Sequence, residues 1–162
     1  MHSPNKMISK PDEWWMEEAL REAGRARAAG EVPVGAIVVS DGKIVGRGFN
    51  RPISSHDPTA HAEIVALREA ARTVQNYRLE NCELFVTIEP CAMCAGAIMH
   101  ARIKRLIYGA DDPKAGAVCS IIKIVNQERM NHRLEVTRGV LAARSMEAIQ
   151  SFFREKRQID TL

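Results

Sequence analysis

No run of this 162-residue chain approaches the roughly 20 consecutive apolar residues of a membrane-spanning helix, which argues against a helical membrane protein. No secretory signal is expected ahead of the first helix. Internal repeats, low-complexity tracts and linkers are lacking as well. One domain is therefore expected over residues 11–162, behind a leader at 1–10 expected to be disordered. Cysteine is scarce, at four residues; Cys82 and Cys119 sit in apolar surroundings and read as buried thiols rather than a disulfide, which fits a reducing, cytoplasmic setting. Excess charge is small too: a net +3 does not by itself point to nucleic acid.

What the chain does have is two short segments rich in metal ligands. His61-Ala62-Glu63 and Pro90-Cys91-Ala92-Met93-Cys94 offer an imidazole, two thiols and a carboxylate to one ion. Zinc held by three protein ligands keeps its fourth position open, as catalytic sites do, whereas structural sites are closed by four. The pattern H-x-E followed by P-C-x-x-C is the signature of zinc-dependent nucleobase deaminases. A C-x-x-C pair alone would suit a redox site, but here it has an upstream H-x-E partner. A structural zinc would need a fourth ligand from Cys82, Cys119, His100 or His132. None of these has a typical ligand spacing, and Glu63 would be left without a task.

Local structure makes convergence feasible. Residues 60–73 read as a helix with Ile64, Leu67 and Ala71 facing a core, and Thr59 is the candidate N-cap. His61 and Glu63 would lie roughly 200° apart on that helix, so both reach one ion only if it sits off the helix N-terminus. Residues 83–88 suit a buried strand, and Pro90 fits the first turn of a following helix, with Cys91 and Cys94 on one face. Helix N-termini favour the thiolate form that zinc requires.

Elsewhere, Asp12 is the candidate N-cap of an amphipathic helix reaching about Ala29, with Trp14 and Trp15 as packing anchors. Residues 34–39 and 43–49 form a hairpin around Ser40-Asp41-Gly42. A polar loop over 50–59 leads into the metal helix. Residues 105–109 read as another buried strand, 110–117 as a loop, 118–125 as a short helix, 134–137 as a last strand and 140–157 as a final helix. This order predicts an α/β fold, a mixed sheet with helices on both faces and ligands at the strand ends. Three basic clusters flank the site: Lys43, Arg47 and Arg51; Arg102, Lys104 and Arg105; and Arg154, Lys156 and Arg157. Together they make a polyanionic substrate more plausible than any one cluster would.

With Glu63 beside the metal as proton shuttle, these parts suit hydrolytic deamination of an amino-substituted heterocycle. A deaminase of free guanine, cytosine or a nucleotide would need the same zinc site but no RNA-tracking surface. A zinc-stabilised RNA-binding module would not need Glu63.

The segments at 56–63 (HDPTAHAE) and 89–97 (EPCAMCAGA) resemble the bacterial tRNA-specific adenosine deaminase family of the cytidine/deoxycytidylate deaminase superfamily. So do 30–36 (GEVPVGA), 50–53 (NRPI) and 130–133 (MNHR), and the resemblance runs from about residue 12 to 157. It implies a cytidine-deaminase-like three-layer α-β-α sandwich around a mixed five-stranded sheet. It also implies a homodimer with one Zn2+ per subunit that converts the wobble adenosine of a tRNA anticodon stem-loop to inosine. Carried over by position, His61, Cys91 and Cys94 are the ligands and Glu63 the proton shuttle. Asn50 reads the base, Asp112 and Lys114 lie beside the flanking nucleotides, and Phe152, Arg154, Lys156 and Arg157 belong to an RNA-binding helix.

Overall fold

The computed structural model describes residues 9–162; the leader expected at 1–10 lies, for residues 1–8, outside the described residues. Four helices and five strands follow in the order α1 (Asp12–Ala28), β1 (Gly35–Ser40), β2 (Lys43–Phe49), α2 (Ala62–Val74), β3 (Cys82–Ile88), α3 (Ala92–Ala101), β4 (Arg105–Ala110), β5 (Glu135–Thr137) and α4 (Ala142–Ile159). The sheet order is β2-β1-β3-β4-β5. β1 runs antiparallel to both β2 and β3, while β3, β4 and β5 are parallel, giving the expected mixed five-stranded sheet.

Period-two alternation sorts the strand residues between two apolar layers. Ala36, Val38, Leu84, Val86, Leu106 and Tyr108 face α2 and α3. Ile37, Val39, Phe85 and Ile107 face Trp15, Met16 and Ala19 of α1. α4 packs beside α1, where Ser145 lies against Gly109 of β4. A side chain at Gly48 would collide with the Ala62 carbonyl and Ala66, so its absence lets β2 lie directly on the first turns of α2. That contact sets where the metal-bearing end of α2 stands. Register brings Gly35, Phe49 and Ala110 to one end of the sheet together with Ile88, and the loops after β2, β3 and β4 all leave from there.

Several local expectations change. Residues 118–125 form turns, not a helix. The N–H groups of Val118, Cys119 and Ser120 donate to the Glu89 carboxylate instead of to carbonyls one helical turn back. Thr59 is not a cap: its hydroxyl and N–H are taken by Asp57, and His61 occupies the N-cap position of α2. Asp12 is the first helical residue, behind Pro11, and its carboxylate is forked onto Arg105 at 2.6 and 2.9 Å. Pro90 precedes the α3 N-cap, Cys91, and so stands outside the first turn. Trp15 is buried in the core, but Trp14 is 41% exposed, stacked edge-on against it.

Candidate active site

His61 and Cys91 are the N-cap residues of α2 and α3, both in extended backbone that turns the side chain back over the helix start. His61 Nδ1 lies 3.5 Å from Cys91 Sγ and 3.6 Å from Cys94 Sγ, and all three ligand atoms fall within 4.8 Å of one another. Tetrahedral zinc, with bonds of about 2.3 Å to sulfur and 2.0–2.1 Å to nitrogen, requires a nitrogen–sulfur separation of about 3.6 Å. The donor set fits zinc in distance, and Nδ1 is the imidazole atom that ligates. This is the only such group among the described residues; it has three members, and His132, one of the possible fourth ligands, is bonded to the Ile103 carbonyl.

Electrostatics lead to the same conclusion. The Cys94 side chain, with help from His61 and against partial burial, holds the Cys91 thiol down to about 4. The same Cys91 contact, together with burial, pushes the Cys94 thiol up. Two sulfurs this close both ionise only with a cation between them, and a divalent metal resolves that conflict. Cys91 likewise raises His61. Glu63, in the first turn of α2, is 3% exposed, and burial raises its carboxyl above the ordinary glutamate value. A carboxyl that readily holds a proton beside a metal site has the character of a proton shuttle.

These groups open onto a cavity of about 570 Å³ lined by His61, Glu63, Cys91 and Asn50 on one side and Asp112, Lys114 and Phe153 on the other. Asn50, just past β2, accepts the Ala62 N–H on its side-chain oxygen. Asp112 caps its own turn, accepting the N–H groups of Lys114 and Ala115 at 3.0 and 3.2 Å. A smaller depression of about 480 Å³ adjoins the cavity, lined by Lys114, Phe153, Arg154 and Arg157. Phe152 does not reach it: it is 6% exposed within the fold, with Lys156 over its ring at 5.1 Å, while Phe153 is 41% exposed and lines both spaces.

Charge in the other two clusters is partly committed. Arg47 is paired with Glu18 and Glu22 of α1, and Arg105 with Asp12 and Glu83. Arg51 lies over the Phe49 ring at 4.4 Å. In the tail Arg154 meets Glu147 at 2.9 Å, on the open surface where such a pair is weak.

Beyond Glu18 and Glu22, which pair with Arg47, two more buried carboxylates escaped the reading of the sequence. Glu31 is 1% exposed and accepts the Ile53 and Ser54 N–H groups and the Ser54 hydroxyl, so it holds the loop after Asn50. Glu89, 2% exposed, holds the loop after β4. The only sequence signal was a lone acid within each of two quoted segments, 30–36 and 89–97.

Fold and site together define a zinc-dependent nucleobase deaminase. The family model for the cytidine and deoxycytidylate deaminase zinc-binding region matches residues 9–110. The tRNA-specific adenosine deaminase of Haemophilus influenzae is 52% identical over 154 residues, covering 94% of this chain and 89% of that one. A solved tRNA:A34 deaminase, studied for A-to-I editing at the wobble position of transfer RNA, superposes with a TM-score of 0.80 at 45% identity, over 83% of this chain and 98% of the other. A solved guanine deaminase from Bacillus subtilis matches with a TM-score of 0.60 at 32% identity, over 73% of this chain and 86% of the other. The chain belongs to the tRNA-specific adenosine deaminase family.

Proposed function

We infer that this protein hydrolyses the wobble adenosine of a tRNA anticodon to inosine, releasing ammonia. The observation that carries this reading is a three-ligand metal cluster with buried Glu63 beside it, opening onto the cavity that Asn50, Lys114 and Phe153 share. His61, Cys91 and Cys94 would hold zinc, which when bound would supply an activated water, because coordination lowers the pKa of water toward neutrality. Glu63 takes a proton from the attacking water and passes it to a ring nitrogen of the base, then carries the remaining hydroxyl proton to the amine, which leaves as ammonia. Asn50 orients the base. Lys114 and Phe153 meet the flanking nucleotides, and Arg154, Lys156 and Arg157 hold phosphates of the stem-loop.

The finer assignments are part of the same reading. Residues 11–162 act as one deaminase domain with one zinc per chain. Two chains pair: the apolar depression between α2 and α3, lined by Ile64, Leu67, Ala71 and Ala97, supports a homodimer. Cys82 and Cys119, neither in a disulfide, support a cytoplasmic setting, and no helix among the described residues is long and apolar enough to cross a membrane. The deciding experiment incubates the protein with bulk tRNA and with free adenine, guanine and cytosine. Inosine at the wobble position, absent with Glu63→Ala, is the expected result. Comparable rates on a free base would overturn it in favour of a free-base deaminase.

A further inference from the structure

Glu89 stands between β3 and the cysteine turn, two residues before the ligand Cys91, yet its side chain turns toward the loop that follows β4. Oε1 accepts the Asp112 N–H at 3.0 Å and the Ser120 hydroxyl. Oε2 accepts the N–H groups of Val118, Cys119 and Ser120 at 3.1, 2.8 and 3.0 Å. Four backbone donors and a hydroxyl thus converge on one carboxylate that is 2% exposed. Such a ring of backbone N–H groups is an anion cradle, here filled from within the chain. The loop fits closely around it: a Cβ at Gly116 would run into the carboxylate carbon and both its oxygens. Gly116 N–H is bonded to the Asp112 carbonyl and Ala117 N–H to the Pro90 carbonyl, at 2.9 and 2.8 Å, so the loop also closes on itself and on the cysteine turn.

We propose that Glu89 is a positioning residue for the substrate: its buried carboxylate is the template on which residues 111–120 fold, and it thereby fixes Asp112 and Lys114 relative to the metal turn. It touches neither the metal nor the base. The proposal rests on the substrate-facing role given above to Lys114. Its physical basis is that residues 111–120 contain no helix or strand. With five donors aimed at one point, the loop has no other partner of comparable strength among the described hydrogen bonds. An amide in place of the carboxylate keeps one accepting oxygen. Oriented to keep the three donors at Oε2, it presents its own N–H to the Asp112 N–H and releases that end of the loop.

The test compares wild type, Glu89→Gln and Gly116→Ala on an anticodon stem-loop, with zinc content and amide hydrogen exchange of residues 111–120 measured on each. Both variants are expected to keep one zinc per chain and to exchange faster in the loop. Both should raise KM by about tenfold or more while kcat changes much less, the signature of lost binding rather than lost chemistry. Their combination should do no more than either alone, since both disturb one contact. Gly116→Ala acts from the loop side, away from Cys91, and keeps the proposal testable if Glu89→Gln folds poorly. An unchanged KM in Gly116→Ala with a loosened loop, or loss of zinc in both variants, would overturn it. A Lys114→Ala variant with wild-type KM, alongside raised KM in the other two, would instead locate the failure in the role given to Lys114.

Discussion

The side-chain oxygen of Asn50 accepts the backbone N–H of Ala62 at 2.9 Å, tying the residue after β2 to the first residue of α2. A backbone N–H only donates, so this bond fixes the amide orientation and leaves the Asn50 NH2 group for the cavity that it lines. The cavity therefore receives a donor at this point, which suits the ring-nitrogen acceptors of a purine.

Asn50 therefore has two separable tasks. Asn50→Asp keeps an acceptor for the Ala62 N–H but removes the donor; Asn50→Ala removes both. Both variants are expected to slow turnover at saturating RNA by about a hundredfold or more. Only the alanine variant should also lose about 1 kcal/mol of stability, the usual cost of a helix cap. Turnover and thermal melting on the two proteins check this, and an aspartate variant with normal turnover would remove Asn50 from base recognition.

Metal and proton transfer should come apart by mutation. Cys94→Ala loses one of three ligands, so zinc and the folding free energy tied to it should fall together, giving a lower melting temperature that added chelator lowers no further. Glu63→Ala should retain one zinc per chain and a near-normal melt while turnover drops by about 10²–10⁴-fold. Metal analysis beside inosine formation decides it. Loss of zinc in the Glu63 variant would make that carboxylate a ligand.

The C-terminal helix offers a measurement of phosphate contact. Arg154, Lys156 and Arg157 are exposed near the end of α4, and Arg154 and Arg157 border the depression that Lys114 shares with the cavity. Replacing all three with neutral residues should reduce the salt dependence of RNA binding by about two units of log–log slope, at about 0.7 per phosphate contact on a single strand. Turnover at saturating RNA should change far less, because uniform binding alters KM. Equal slopes for the two proteins would show that the tail is solvated and free of phosphate.

Acid should loosen the loop after Asn50. Burial works against ionisation of Glu31, but the Ser54 N–H and hydroxyl, the Ile53 N–H and Lys156 outweigh it and hold the carboxyl below its ordinary value. A lowered folded pKa means that stabilisation is fully present above the unfolded glutamate value and disappears as pH falls through the folded one. The melting-temperature gap between wild type and Glu31→Gln should therefore be widest near neutral pH and close on acidification. A gap that persists in acid would assign the effect to packing.

The features legible in the sequence are those whose physics is local. Short apolar runs rich in β-formers marked β1, β3 and β4, and the Asp41-Gly42 turn, with φ of 49° and 70°, marked the hairpin. The metal ligands were legible because each segment sits at a helix start, where two residues set which way a side chain leaves the backbone. The separation of His61 and Glu63 on a helix already required an end-on approach to the metal.

Contacts between segments distant in the chain were decided by tertiary structure. Arg47 and Arg105 counted as free charge in the sequence, yet Glu18, Glu22 and Asp12 reach them only once α1 lies on the sheet, and Glu83 meets Arg105 only through the parallel register of β3 and β4. Residues 118–125 form an apolar run that reads as a short helix, but its start yields to a carboxylate 29 to 31 positions earlier, because a buried anion draws backbone donors more strongly than a solvated turn of helix does. The choice between Phe152 and Phe153 depends on the rotation of α4 against β4, and that rotation puts Phe152 inside and Phe153 on the cavity wall. The sequence by itself determined the ligands and the helix starts that present them, since both depend on neighbours along the chain. The cavity around them is decided by packing, since its far wall comes from the loop held by Glu89 and from α4, both distant in the chain from the ligands.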